Sequence, residues 1–232
     1  YKKAKQQLSN LSEQLVLNGD DTFCRSVGAI SKKKKLYFGT TNRVDVQIQP
    51  LLEEQQFSTC CIQYDDCEKV VTLPVQGDYQ RLNILAAITA VTSLGFSFEE
   101  TIEAAQRIQL PEGRTQYIAN DEGFQIVIDY AHTTEAMRAV LHMLRKQAKG
   151  KLIVVFSCGG NRDVQKRSKM GMVASTYADY IILTTDNPRS ESPQRINEQI
   201  RFGFSAQQSY VEQMDRQQAI EQALEMATEG DT

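Results

Sequence analysis

The chain has 232 residues, 41% of them hydrophobic and 24% charged, with a formal net charge of −3. That length suits one large domain or two small ones with a real core, and the acidic balance argues against a nucleic-acid footprint. No apolar run reaches the ~18 residues of a membrane span, and the five cysteines lack any CxxC spacing, so they read as reduced thiols of a cytosolic protein.

Ala4, Leu8, Leu11 and Leu15 recur at helical spacing, which predicts an amphipathic helix over residues 3–15. Leu15 to Leu17 reads as a short buried strand ending in Asn18-Gly19-Asp20-Asp21. That acidic pair could suggest a metal, but beside Asn-Gly it more often marks a turn and a helix cap. The basic run at 32–35 reads as a solvated turn or an edge-strand guard. From residue 35 to 73 the pattern alternates like strands, broken at Gly39-Thr40 and Tyr64-Asp65-Asp66, and predicts an antiparallel meander of VDVQIQP, FSTCCIQY and EKVVTLP. Helices are predicted over 78–94 and 98–108, the second with Ser97 as N-cap and Glu100 as its capping-box partner.

Leu110-Pro111-Glu112-Gly113 breaks the pattern and is the expected domain boundary, giving domains 1–111 and 112–232. The second half alternates strand and helix: strands at 124–128, 152–156, 180–183 and near Tyr210-Val211, helices at 133–148, 192–202 and 216–227. Between the two central strands, Val164, Met170, Val173 and Ala174 form the apolar side of another helix. Alternation of this kind predicts an α/β fold with a mostly parallel sheet covered on both faces. The loops at 157–163 and 184–191 then share the carboxyl-terminal edge of the sheet, where open α/β sheets bind ligands.

Three loops carry candidate chemistry. Gly159-Gly160 lets a ligand approach the backbone at a helix start, and Arg162 adds a bidentate donor for carboxylate or phosphate; the competing reading is a tight turn with a surface arginine. Asp186-Asn187-Pro188-Arg189 can hold a zwitterion, carboxylate on Arg189 and ammonium on Asp186, or it can be a capping turn. Asp129 can accept from ribose hydroxyls and His132 can face phosphate, although a lone histidine after a strand is more often packed or solvated. His142, in mid-helix, belongs to that second class.

In combination, GR at 113–114, DYAH at 129–132, CGGNRD at 158–163, KR at 166–167, MG at 170–171 and DNPRSESP at 186–193 resemble the Mur ligase family. The likeness is greatest to its UDP-N-acetylmuramoyl-tripeptide synthetase branch. Tyr1-Lys2-Lys3-Ala4-Lys5 resembles the family's Tyr-x-x-Ala-Lys, Leu17 to Asp21 its Asn-x-Asp-Asp, and Gly77 to Asn83 its Gly-x-Phe-Asn-x-x-Asn.

The resemblance implies the C-terminal part of a Mur central domain, with helices and antiparallel strands, followed by a Rossmann-like C-terminal domain. It implies ATP-dependent joining of an amino acid to a UDP-linked muramoyl dipeptide through an acyl phosphate, with magnesium. Lys5 would be the carbamylated, magnesium-holding lysine. Asn83 would bind adenine, Arg114 and Asp129 the ADP ribose, and His132 would lie near the phosphates. Arg162, Asp186, Asn187 and Arg189 would hold the incoming amino acid, and the DNPR form implies meso-diaminopimelate. Alternatives are a folylpolyglutamate- or cyanophycin-type ligase, against which DNPRSESP argues, and a degenerate, non-catalytic ligand-binding module of the same fold. A cytoplasmic monomer is expected, with no nucleic-acid partner and no membrane insertion.

The chain departs from the family pattern at Gln80, Thr134 and Asn161, where Asn, Pro and an acid are usual, and lacks the glycine before Lys166-Arg167. Its sequence contains no Gly-x-x-x-x-Gly-Lys-[Ser/Thr] phosphate loop. It is therefore expected to be a piece of a longer ligase, truncated also after Thr232, and inactive by itself.

Overall fold

A computed structural model of the chain describes residues 2–232; Tyr1, the first residue of the Tyr-x-x-Ala-Lys likeness, lies outside the described residues. The chain divides into two compact units, Tyr1–Leu110 and Pro111–Thr232.

The first unit contains α1 (Lys2–Leu11), β1 (Gln14–Asn18), α2 (Thr22–Ile30), β2 (Lys34–Gly39), β3 (Val46–Glu54), β4 (Phe57–Tyr64), β5 (Cys67–Leu73), α3 (Asp78–Ser93) and α4 (Phe98–Ala105). The meander is present: β3, β4 and β5 pair antiparallel, with a register shift just after Pro50, which has no N–H to give to a ladder. Alternation along these strands sends Ile48, Ile62 and Leu73 to one face, where Leu85 and Ile88 of α3 and Ile102 of α4 bury them. Ser97 caps α4 by accepting from the Glu100 N–H, and its hydroxyl donates to the Glu100 carboxylate. Asp21 caps α2 by accepting from the Cys24 N–H, the turn-and-cap reading of the acidic pair.

Two expectations for this unit need correction. The first helix ends at Leu11, so Leu15 belongs to β1. The sheet has five strands, not three, in the order β1-β2-β3-β4-β5, because β2 lies parallel between β1 and β3. At Lys34 and Lys35, β2 pairs with β1 alone, because β3 joins it only at Phe38 and Gly39. Lys33 donates to the carbonyls of Asn10, in the last turn of α1, and Ser12, just past its end, and Lys35 to those of Gly28 and Ser31 at the end of α2. Cations there satisfy orphan carbonyls and oppose the negative helix ends.

The second unit contains β6 (Gln116–Ile118), β7 (Ile126–Ile128), α5 (Thr134–Gln147), β8 (Ile153–Phe156), α6 (Gln165–Tyr177), β9 (Tyr180–Leu183), α7 (Pro193–Arg201), β10 (Tyr210–Glu212) and α8 (Arg216–Met226). A parallel sheet runs β10-β9-β8, and β6 and β7 form a separate antiparallel ribbon. Helices α5, α6 and α7 pack side by side, and α8 lies against β8 and β9. Thr133 caps α5, and His142 on that helix stacks edge-on against Tyr177. The five cysteines are free thiols.

Two details differ from the sequence-based expectation. The run at 152–156 is not uniformly buried: β9 is enclosed at Ile181, Ile182 and Leu183, whereas all four residues of β8 are half-buried. The reason is pairing. Among the described residues β8 pairs in a ladder with β9 alone, and on its other edge Ile153 donates to the carbonyl of Thr232, whose N–H donates to Lys151. Val164 is 47% exposed because it precedes α6, whose buried side is Met170, Val173 and Ala174.

Candidate functional site

The loops after β8 and β9 interlock. The Gly160 N–H donates to the Asn187 carbonyl at 2.9 Å, the Arg189 guanidinium donates to the Gly160 carbonyl, and the Ser190 hydroxyl donates to Asn161 Oδ1 at 3.0 Å. Close approach explains Gly160: a Cβ there would sit 1.8 Å from the Pro188 carbonyl oxygen. At Gly159 a Cβ would meet only ordinary contacts, the Asn187 carbonyl at 3.7 Å and Asp186 Oδ2 at 4.0 Å. Asn161 and Arg189 both adopt left-handed backbone, φ 50° and 52°. Non-glycine residues persist there only where their surroundings over-determine them.

Arg167 supplies that determination. It is fully buried at the start of α6 and grips Glu191 bidentately, Nη1 to Oε2 at 2.8 Å and Nη2 to Oε1 at 2.9 Å. It also donates to Gln199 Oε1 and the Gly159 carbonyl, leaving Nε without a partner. Glu191 Oε1 accepts from the Asn161 N–H as well. The hydrogen bonds from Arg167, then that N–H, pull the Glu191 carboxyl down to about 2. Cys158 is buried, and burial pushes its thiol up to about 11, away from the thiolate form.

The loop after β7 has its own fixation. Antiparallel register sets Gln116 opposite Ile128, which brings residues 114 and 115 alongside 129 and 130. The Thr115 N–H and hydroxyl both donate to Asp129 Oδ2, at 2.8 and 3.2 Å, and the Ala131 N–H donates to Oδ1 at 2.8 Å. A carboxylate has about four lone-pair positions, so one remains for a further donor such as a sugar hydroxyl. Thr115 is held at φ 46°, an outlier for a β-branched residue. The Arg114 guanidinium lies over the Tyr130 ring at 4.7 Å, and Tyr130 meets His132 edge-on. Lys166 Nζ donates to the His132 carbonyl at 2.8 Å, so neighbouring residues at the start of α6 reach two different loops.

Of the expected site residues, Asp186, Asn187 and Arg189 are thus brought against the Gly159-Gly160 loop, with Arg162 exposed beside it; Arg114, Asp129 and His132 form a second group. Lys5, exposed on α1, and Asn83, exposed on α3, belong to the first unit. Among the described residues, no group of three or more His, Cys, Asp or Glu side chains is placed to hold a metal ion. No described helix is long and apolar enough to cross a membrane.

Sequence reasoning gave no role to Thr115, Lys166, Arg167 or Glu191. The KR and SES motifs were signals for the last three; nothing in the sequence marks Thr115. A cavity of about 550 Å³ in the first unit, lined by Gly19, Asp20, Arg25, Thr40, Thr41 and Arg43, was also unforeseen and contains none of the expected residues.

Residues 113–232 match the family description "Mur ligase, glutamate ligase domain", and residues 1–91 match "Mur ligase middle domain". The UDP-N-acetylmuramoyl-L-alanyl-D-glutamate–2,6-diaminopimelate ligase of Aquifex aeolicus is 37% identical over 99% of this chain and 47% of its own length. The enzyme of the same name from Caldanaerobacter subterraneus is 34% identical over 100% of this chain and 48% of its own. A solved structure with that name matches at 31% identity and TM-score 0.60, covering 100% of this chain and 49% of that one. A pseudomurein peptide ligase type C from Methanothermus fervidus shares the fold at TM-score 0.81 and 20% identity, covering 100% of this chain and 55% of that one. The chain spans about half the length of the curated relatives it matches. From its middle-domain strands to the interlocked loops of its second unit, the chain belongs to the Mur ligase family, which uses ATP.

Proposed function

We propose that this chain is part of an ATP-dependent ligase that adds meso-diaminopimelate to UDP-N-acetylmuramoyl-L-alanyl-D-glutamate in peptidoglycan precursor synthesis, acting in the cytoplasm. One observation carries the reading: the clasped loops bring Arg189, Asn187 and Asp186 against Gly159-Gly160, beside Arg162. The printed name of the Aquifex aeolicus relative supports the substrate pair.

In this reading a carboxylate oxygen of the dipeptide attacks the γ-phosphorus of ATP and ADP leaves. The amine of the incoming amino acid then attacks the acyl carbon, phosphate departs and the amine releases a proton. Arg189 and Arg162 hold carboxylates of the amino acid, Asp186 its ammonium, and Asn187 orients it. Asp129 uses its remaining lone pair on a ribose hydroxyl, Arg114 lies beside it, and His132 faces phosphate. Asn83 is assigned to adenine. Lys5 keeps the carbamate role, to be read by mass spectrometry as the addition of carbon dioxide; no step is routed through magnesium.

The test is calorimetric titration of the chain with meso-diaminopimelate and with L-lysine. Tighter binding of the dicarboxylate is expected, and Arg189→Ala should weaken it roughly 10- to 100-fold without changing lysine binding. Equal affinity for the two amino acids in the unaltered chain would refute the amino-acid assignment.

A further inference from the structure

Lys166 and Arg167 have no part in that reading, yet Arg167 is a full charge with no exposed surface. Stability alone does not explain it, because apolar residues of similar volume often serve as well as a buried ion pair. Its donors, however, reach both loops: Glu191 twice, and the Gly159 carbonyl. Glu191 passes the restraint to the Asn161 N–H, and Asn161 Oδ1 accepts from Ser190, the residue next to Arg189. Both left-handed non-glycine residues of these loops, Asn161 and Arg189, lie inside this closed circuit. Backbone of that kind relaxes when its surroundings stop enforcing it.

We propose that Arg167 is a positioning residue: acting through Glu191, it keeps the loops 159–162 and 187–191 clasped, so that Arg189 is held across Gly160 in the orientation that selects an amino acid with a distal carboxylate. The clasp itself rests on the geometry; its effect on selectivity rests on the amino-acid reading above. Lysine has no distal carboxylate, so its binding does not draw on the orientation of Arg189. Loss of the clasp should therefore act on one ligand and not on the other.

The experiment compares the 232-residue chain with Arg167→Lys and with the double variant Arg167→Met, Glu191→Met, which removes the pair without stranding a buried charge. Three quantities are measured: the melting temperature, amide hydrogen exchange by NMR, and the affinities for meso-diaminopimelate and L-lysine. The Gly160 amide is the discriminating probe, because its acceptor, the Asn187 carbonyl, is untouched by the substitutions.

In the double variant Gly160 exchange should rise at least about 10-fold by local opening, with little change in melting temperature. Diaminopimelate affinity should fall by about the same factor and lysine affinity should hold. Arg167→Lys, keeping the charge but not the bidentate fork, should fall between. Unchanged Gly160 exchange in the double variant would overturn the proposal, as would equal loss of both affinities in step with the melting temperature. If the unaltered chain binds neither amino acid while Gly160 exchange still rises, the clasp stands and the amino-acid reading falls.

Discussion

Arg81 and Arg167 are both buried guanidinium groups near the start of a helix, one in each unit, and they hold different things. Arg81 ties α3 to the hairpin of β3 and β4 through Glu53 and Ser58, and pairs with Asp78 on its own helix. The elements it joins have ladders and helical bonds of their own, and its two carboxylates are 35% and 88% exposed. Arg167 has one carboxylate, and besides Gln199 of α7 the segments it joins are loops without a ladder. A buried charge between regular elements adds to stability that exists without it. Between two loops, it decides their conformation.

That contrast can be tested by size of effect. Arg167→Met leaves Glu191, 26% exposed, without its cation and strips the donors from Gln199 Oε1 and the Gly159 carbonyl; it should cost about 2–4 kcal/mol in the second unit, and urea unfolding followed by probes in each unit would measure it. A loss confined to the first unit, or none, would break the comparison. Gly160→Ala leaves Arg167 intact but forces a Cβ into the Pro188 carbonyl. It should destabilise the second unit by about 1–3 kcal/mol, as overpacking does, and NMR shifts should be confined to residues near 157–163 and 186–191.

Arg81→Met should cost about 1–3 kcal/mol in the first unit, less than the loss at Arg167, because water can solvate the carboxylates left behind. Acid sharpens the difference further. The Glu191 carboxyl is lowered from 4.5 to about 2 by its bonds to Arg167 and the Asn161 N–H. A depressed carboxyl contributes stability that is fully present above the unfolded value and is lost as pH falls from about 4.5 to about 2. Gly160 and Asn161 amide protection, corrected for intrinsic exchange, should decline across that window, and Glu191→Gln should abolish the dependence. Smallest of all, Asp78→Ala should change stability by less than about 1 kcal/mol, since exposed pairs contribute little.

Local chemistry was legible in advance. Alternation announced β3 to β5 because a pleated strand with one buried face must read that way, and Ser97 announced a helix start because its side chain satisfies an N–H group that the helix cannot. The motifs pointed to the loops after β7, β8 and β9 for a similar reason, since glycine, proline and short polar side chains act on their own backbone.

What the chain alone left open was each pairing across distance. β2 looked like an edge because nothing within residues 34–39 states that β1 and β3 will flank it. Half-burial of β8 depends on its neighbours in the sheet, not on the apolar run that defines it. Thr115, Asn161 and Arg189 carry no mark of left-handed backbone, which is imposed by Asp129, Glu191 and Gly160 from 14 to 30 residues away. The KR motif marks Arg167, but nothing in it states that the side chain is buried. Only when α6, α7 and the two loops close around it does desolvation make Glu191 its obligatory partner, because an unpaired charge cannot remain where water has been excluded.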